Sequence, residues 1–293
     1  MIFDVEQGLP ALAARLRAAR RVTVMTGAGV SAASGVPTFR GPGGLWRTYR
    51  PEDLATPEAF AYDPALVWEW YAWRRELVAS CAPNAAHEVL ARWSVSAKAD
   101  RQSGPPSQHR LVASRSDATS AGQVAREVRI ITQNVDDLHV RAGTRDLIRL
   151  HGSLWELKCF AGCRRGATPW RDERVPLPDA LPLCPHCGGH ARPAVVWFGE
   201  SLDRVDVERA SDATACELFL TVGTSAVVYP AAGLVRQAQS RGAFTAEINL
   251  ERTPASSLVD LSILGAAEEV LPALDRVLAP ETPNSQPPTP NFR

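Results

Sequence analysis

Nowhere in these 293 residues does an apolar run approach the roughly 18 residues that a membrane-spanning helix needs. An excess of one charge is also lacking. The 32 Lys and Arg are balanced by 32 Asp and Glu, so neither nucleic acid nor an anionic membrane is indicated as the main partner. The first ten residues, MIFDVEQGLP, carry Asp4 and Glu6 and resemble neither a secretory signal nor an Arg-rich transit peptide. A cytoplasmic protein is therefore expected, and a monomer is expected alongside it. A disulfide framework is missing as well. Four of the six cysteines crowd together as Cys159, Cys163, Cys184 and Cys187, which in a reducing compartment reads as metal ligation.

What is present is an alternation of strand-like and helix-like segments. Leu and Ala recur at helical spacing over 9–20, and the β-branched run 21–25 (RVTVM) follows. Similar runs lie at 127–132, 217–222 and 244–250, nearly continuous in apolar character, as befits strands covered on both faces of a parallel sheet. Helix-like stretches such as 230–241 separate the later ones. The expectation is an α/β chain with a doubly wound, Rossmann-like parallel sheet. Two segments depart from it: 45–93, rich in Trp and helix formers, reads as a helical module, and 157–194, with the cysteine pairs among Pro, Gly and Arg, as a small zinc-binding subdomain. The sheet-forming domain would then comprise 1–44, 127–156 and 195–279. The polar stretch 94–126 reads as a flexible insertion, and the Pro-rich tail 280–293 as disordered.

Each strand-like run ends in glycines or small polar groups, and open α/β sheets bind ligands at the carboxyl ends of their strands. The first leads into Gly27-Ala28-Gly29-Val30-Ser31-Ala32, a G-x-G-x-x-[GA] turn that lets backbone N–H groups approach a pyrophosphate. A glycine turn of some other α/β protein fits the same six residues. A Gly/Pro-punctuated loop follows, in which Phe39 could form an apolar wall and Arg40 supply a cation. Gln133, Asn134 and Asp136 end the second run, suited to a carboxamide or ribose hydroxyls but also to an ordinary turn. His151 is a candidate general base, with His139 as its competitor. Gly223, Thr224 and Ser225 follow the third run, Asn249 and Glu251 the fourth. Cys159-x3-Cys163 and Cys184-x2-Cys187 have the pattern of a closed, four-thiolate structural zinc site, with His186 or His190 as possible substitutes. Cys81 and Cys216 read as buried thiols. Tyr71 and Arg74 share a helix face, either to hold a small carboxylate or simply to pack.

Taken in order, GAGVSAASGVPTFRG (27–41), TQNVDDLH (132–139), LHGSL (150–154), the cysteine pairs, VVWFGE (195–200), VGTSAVVYPAAG (222–233) and INLE (248–251) resemble the sirtuins, from about residue 20 to 275. The likeness is to the class III, desuccinylase- and demalonylase-type members, which carry a Tyr-x-x-Arg pair. The resemblance implies NAD and one structural zinc ion as cofactors, and acylated-lysine proteins or peptides as partners. Gly27, Ala28, Gly29, Ser31, Phe39 and Arg40 would hold the pyrophosphate side of NAD. Gln133, Asn134 and Asp136 would face the nicotinamide ribose. Gly223, Thr224, Ser225, Asn249, Glu251 and Ala267 would hold the adenosine side. Tyr71 and Arg74 would read an acidic acyl group, while Val195, Trp197 and Phe198 would take the peptide by strand addition. His151, with Asn134, would carry catalysis: the acyl oxygen attacks the ribose C1′ as nicotinamide leaves, and His151 then acts as base on a ribose hydroxyl. Two other readings use the same cofactor site, a mono-ADP-ribosyltransferase and a non-enzymatic NAD sensor.

Overall fold

The computed structural model describes residues 1–39, 50–95, 126–178, 181–225, 229 and 231–279. Its main sheet has seven parallel strands: β1 (Ile2–Phe3), β2 (Arg21–Thr26), β3 (Glu127–Thr132), β4 (Ile148–Arg149), β8 (Leu218–Val222), β9 (Phe244–Asn249) and β10 (Leu261–Leu264). They lie in the order β1-β10-β9-β8-β2-β3-β4. From the interior strand β2 the chain first fills one side (β3, β4) and later the other (β8, β9, β10). This reversal places a crevice between the carboxyl ends of β2 and β8. The doubly wound parallel sheet expected from the sequence is thus what the chain forms.

Both faces are covered, which explains the unbroken apolar runs. On one face lie α1 (Val5–Ala18), α5 (Ala85–Val95) and α9 (Ala267–Leu278), with Leu12, Leu16, Leu90 and Leu271 packed against Val24, Ile130 and Leu220. The other carries α7 (Arg204–Ala213) and α8 (Gly233–Ser240), packed on Met25, Ile131 and Phe219. Helix starts follow local chemistry: Asp4 caps α1 by accepting from Gln7 N at 2.9 Å.

The remaining elements form a second body: α2 (Pro51–Leu54), α3 (Pro57–Tyr62), α4 (Pro64–Ser80) and an antiparallel sheet β6-β5-β7. Its strands are β5 (Gly152–Cys159), β6 (Trp170–Arg171) and β7 (Ala191–Val195). One apolar cluster spans both parts, with Phe60, Trp68 and Tyr71 of the helices against Trp155, Leu157 and Trp197. Trp68 Nε1 donates to the Ala191 carbonyl across this seam at 2.9 Å. Helical and cysteine-bearing segments are therefore one packed unit.

The expected boundaries shift in two places. Helix α5 leaves the helical module and packs on the main sheet, because Ala86, Val89, Leu90 and Trp93 recur at i, i+3, i+4, i+7 and match that face. The 157–194 segment is less loop-like than its composition suggests, since β5 starts at Gly152 and β7 reaches Val195. Strands β1, β4 and β10, of two to four residues, are too short to leave a periodic signal. Most of the 94–126 insertion, the tail from residue 280, and Arg40 lie outside the described residues.

Candidate active site

A cleft of about 1500 Å³ lies between the two bodies, along the carboxyl ends of β2, β3, β8 and β9. The turns after β2 and β8 touch backbone to backbone. A Cβ on Gly29 would sit 2.8 Å from the Gly223 carbonyl oxygen, and Gly29 N donates to that oxygen at 2.8 Å. Only glycine allows this approach, and it leaves the backbone itself as the wall of the cleft. Gly27, Ala28, Gly29, Phe39, Gln133, Asn134, His151, Gly223, Thr224, Ser225, Asn249 and Glu251 all line the space.

Ser31 and Asp136 do not line it; they stand directly behind Asn134. Asn134 Nδ2 donates to the Gly27 carbonyl (3.0 Å) and to Ser31 Oγ (3.1 Å), and Ser31 Oγ donates to Asp136 Oδ2 (2.8 Å). Asp136 Oδ1 accepts from Leu138 N at 2.9 Å. Burial raises the Asp136 pKa, and the backbone bond from Leu138 and the side-chain bond from Ser31 oppose that shift. These two residues therefore brace Asn134 from behind. Ala267, expected on the adenosine side, is buried in the apolar core at the first turn of α9. It does not line the cleft.

His151 Nδ1 lies 3.0 Å from the Gln133 carbonyl. A carbonyl only accepts, so Nδ1 carries the hydrogen and Nε2 is left as a basic lone pair on a ring that lines the cleft. Burial lowers its pKa, with the Gln133 bond pulling the other way. The neutral, base-competent form is thus favoured. His139, the competing candidate, is excluded from the cleft: it is buried, its Nε2 is 2.9 Å from Thr26 Oγ1 and its ring stacks edge-on with His87 at 4.8 Å.

At the far end of the cleft sit Tyr71 and Arg74, one turn apart on α4. Arg74 is only 8% exposed and makes no ion pair among the described residues. Its guanidinium carbon lies over the rings of Trp70 (4.8 Å), Phe39 (4.9 Å) and Tyr71 (5.6 Å). Burial lowers its pKa, yet an arginine stays protonated. Tyr71 Oη accepts from Trp197 Nε1 at 2.9 Å, so its own hydrogen remains to be donated. Burial raises the phenol pKa and keeps that hydrogen in place. Sequence reasoning missed Trp70 as part of this wall, although its i, i+4 relation to Arg74 was a usable signal.

Val195, Trp197 and Phe198 also line the cleft, with Trp197 next to Tyr71. Arg192 stacks on Trp197, its guanidinium carbon 3.2 Å from the ring centre, and pairs with Glu200. Trp197 N donates to Glu200 Oε2 and Phe198 N to the Ala55 carbonyl, each at 2.9 Å. Those two N–H groups are already satisfied. The carbonyls of Trp197 and Val195 are engaged as well, accepting from Glu200 N at 3.0 Å and from Arg192 at 2.8 Å.

The four cysteines converge away from the cleft, all four sulfurs within 4.8 Å of one another. Cys159 and Cys187 sulfurs are 3.6 Å apart, and Cys163 and Cys184 sulfurs 3.7 Å. Tetrahedral zinc with bonds of about 2.3 Å places its sulfurs about 3.8 Å apart. The set therefore fits one zinc ion, despite the wider first spacing. Neither His186 nor His190 joins the cluster.

The sequence profile of the Sir2 family matches residues 27–105 and 99–230. An "NAD-dependent protein deacylase 2" of Pyrobaculum aerophilum is 46% identical over 263 residues, covering 88% of this chain and 91% of that protein. The "NAD-dependent protein deacylase sirtuin-5, mitochondrial" of Canis lupus familiaris is 41% identical over 287 residues, covering 91% and 84%. Among solved structures, an ADP-ribose complex of a Sir2 homologue superposes with a TM-score of 0.77 at 40% identity, covering 92% of this chain and 95% of that one.

Proposed function

The chain belongs to the Sir2 family and is an NAD-dependent protein deacylase, and from that premise we propose that it prefers lysines bearing a short acidic acyl group, such as succinyl or malonyl, while retaining some deacetylase activity. The observation that carries the preference is Arg74, a buried guanidinium without an ion-pair partner among the described residues, beside a phenol with a hydrogen to donate. A carboxylate three or four atoms beyond the lysine amide would meet both.

In this reading Gly27, Ala28, Gly29 and Phe39 surround the pyrophosphate side of NAD, with Ser31 behind them. Gly223, Thr224, Ser225, Asn249 and Glu251 take the adenosine side. NAD supplies a ribose carbon that becomes electrophilic as nicotinamide departs, so that the acyl oxygen can capture it. Gln133 is held by its Nε2 donating to Thr224 Oγ1 at 2.9 Å, and in turn holds His151 through its carbonyl. Asn134, both N–H groups engaged with Gly27 and Ser31, keeps its Oδ1 as an acceptor near the sugar. His151 Nε2 then removes a proton from a ribose hydroxyl, activating it against the acyl carbon; lysine leaves that carbon as the free amine, and one water is consumed to complete O-acyl-ADP-ribose. Trp197 and Phe198 form the apolar walls beside the lysine stem.

A cytoplasmic location is part of the same proposal, supported by a cluster of four free thiols suited to a reducing compartment. The test is nicotinamide release with matched peptides: it should require an acylated lysine and stop being coupled to lysine release in His151→Ala. Adenine-labelled NAD modifying protein in the absence of acyl-lysine would favour ADP-ribosyl transfer instead.

A further inference from the structure

Asp137 stands next to the cleft without lining it, and three features of it are unusual together. Its φ is +63°, a left-handed conformation that residues with a side chain rarely adopt. It occupies the N-cap of α6 (Leu138–Arg141), yet its side chain makes no capping hydrogen bond. The cap of Leu138 N is supplied by Asp136 instead. And its carboxylate is 1% exposed while meeting two arginines. An aspartate at an N-cap normally gains stability by capping. Here the backbone is twisted so that the carboxylate points elsewhere, and strain of this kind persists where the surroundings impose it.

The carboxylate points at the strand ends that flank the base. Arg149, two residues before His151, reaches Oδ1 at 3.4 Å. Ser153, two residues after it, donates to the same oxygen at 3.1 Å. Arg171, from β6 of the cysteine-bearing sheet, pairs with Oδ2. On the chain, Asp137 directly follows Asn134–Asp136, the segment that lies on the nicotinamide side. One side chain thus ties that segment to both flanks of His151 and to the zinc-bearing body.

We propose that Asp137 is a positioning residue that fixes His151 relative to the Gln133–Asp136 loop, so that the ring meets the ribose hydroxyl in reach of its Nε2. The proposal rests on His151 being the base. If it is, mispositioning it should impair only steps after nicotinamide has left, and reversal of that departure should survive.

The variant is Asp137→Gly, which keeps the left-handed backbone and deletes the carboxylate. Two readouts apply. In the free protein, the His151 imidazole titration is followed by NMR and assigned against His151→Ala; it should move up toward the ordinary histidine value as the ring loosens into solvent. With NAD and acyl-peptide, deacylation should fall by on the order of ten- to a hundredfold, the cost of a misplaced group. Exchange of labelled nicotinamide into NAD should stay within about twofold, since that half-reaction needs no base. An unchanged titration together with equal losses in both rates, or no loss in either, overturns the proposal. Should Asp137→Gly fail to bind zinc and melt cooperatively, Arg149→Gln loosens one grip on a partly exposed residue, and the same split, smaller, is expected; its absence counts equally against the idea. His151→Ala separates the two levels. If it loses exchange along with deacylation, the base assignment has failed, and the titration alone then decides Asp137.

Discussion

Arg74→Met is the substitution in which the structure and the proposed substrate class can most sharply disagree. Methionine preserves much of the stem that packs among Phe39, Trp70 and Tyr71 and removes only the charge and its donors. The free protein already bears the cost of burying this cation, because the guanidinium is 8% exposed and makes no ion pair among the described residues. An incoming carboxylate therefore meets a preorganised partner and loses only its own hydration. Hydrogen bonds to charged groups contribute about 1.5–3 kcal/mol each, and truncating one member of a buried charge pair costs about 2–5 kcal/mol. Taking about 3–4 kcal/mol, kcat/KM for a succinyl-lysine peptide should fall by about 10²–10³-fold, at about 1.4 kcal/mol per decade. An acetyl-lysine peptide of the same sequence has no carboxylate to lose, so its kcat/KM should stay within a few-fold. Removing an unpaired buried cation should also raise the melting temperature slightly. The assay is paired kcat/KM on matched peptides by mass spectrometry. Equal losses on both substrates would show that Arg74 shapes the wall of the cleft without reading the acyl group.

Stability should fall on mild acidification. Burial lowers the pKa of His87 to about 4 and, with the neighbouring His87 adding to it, that of His139 to about 3, against 6.5 in the unfolded chain. Between those values the unfolded chain binds more protons, so folding stability rises with pH across roughly 4 to 6.5 and is lost as pH drops through that window. The two imidazoles together give a limiting slope of about 2.7 kcal/mol per pH unit. Urea midpoints should therefore be lower at pH 5 than at pH 7, and His139→Asn should flatten the difference; a midpoint independent of pH in wild type would refute it. For the metal site, one zinc per chain is expected by mass spectrometry of the metal content. Cys184→Ser should lose it and abolish deacylation while NAD still binds by calorimetry; full activity of a zinc-free protein would contradict the arrangement.

Much of the site was legible because its parts are local. The turn at 27–31, the cluster at 133–136 and the cysteine pairs each carry their chemistry within a few residues, so pattern and spacing suffice. What escaped is set by three-dimensional burial. Nothing in the sequence separates Asn134, which lines the cleft, from Asp136, whose oxygens face Ser31 and the backbone. His139 and His151 are equally plausible as letters; only the pairing of His139 with Thr26 in the interior removes it. Helix α5 reads as part of a Trp-rich helical run, yet its apolar stripe belongs to the other core. Asp137 escapes for the same reason, since its arginine partners are 12 and 34 residues away.

The zinc site and the cleft are far apart, and β5 explains how the first can serve the second. The strand runs eight residues, from Gly152 beside His151 to the ligand Cys159, about 23 Å at the usual rise. Its partner β7 starts four residues after Cys187 and ends at Val195, leading into Trp197. The metal thus closes one end of a strand pair whose other end forms a wall of the cleft. That pair already contains a register shift between Ser153 and Leu157, so its alignment is not guaranteed by an unbroken ladder. A slip of one residue would turn every side chain to the opposite face, carrying Trp197 away from Tyr71 and His151 away from Gln133. A closed four-thiolate site has no open position for substrate chemistry; its contribution is to hold that register, and through it the place of His151.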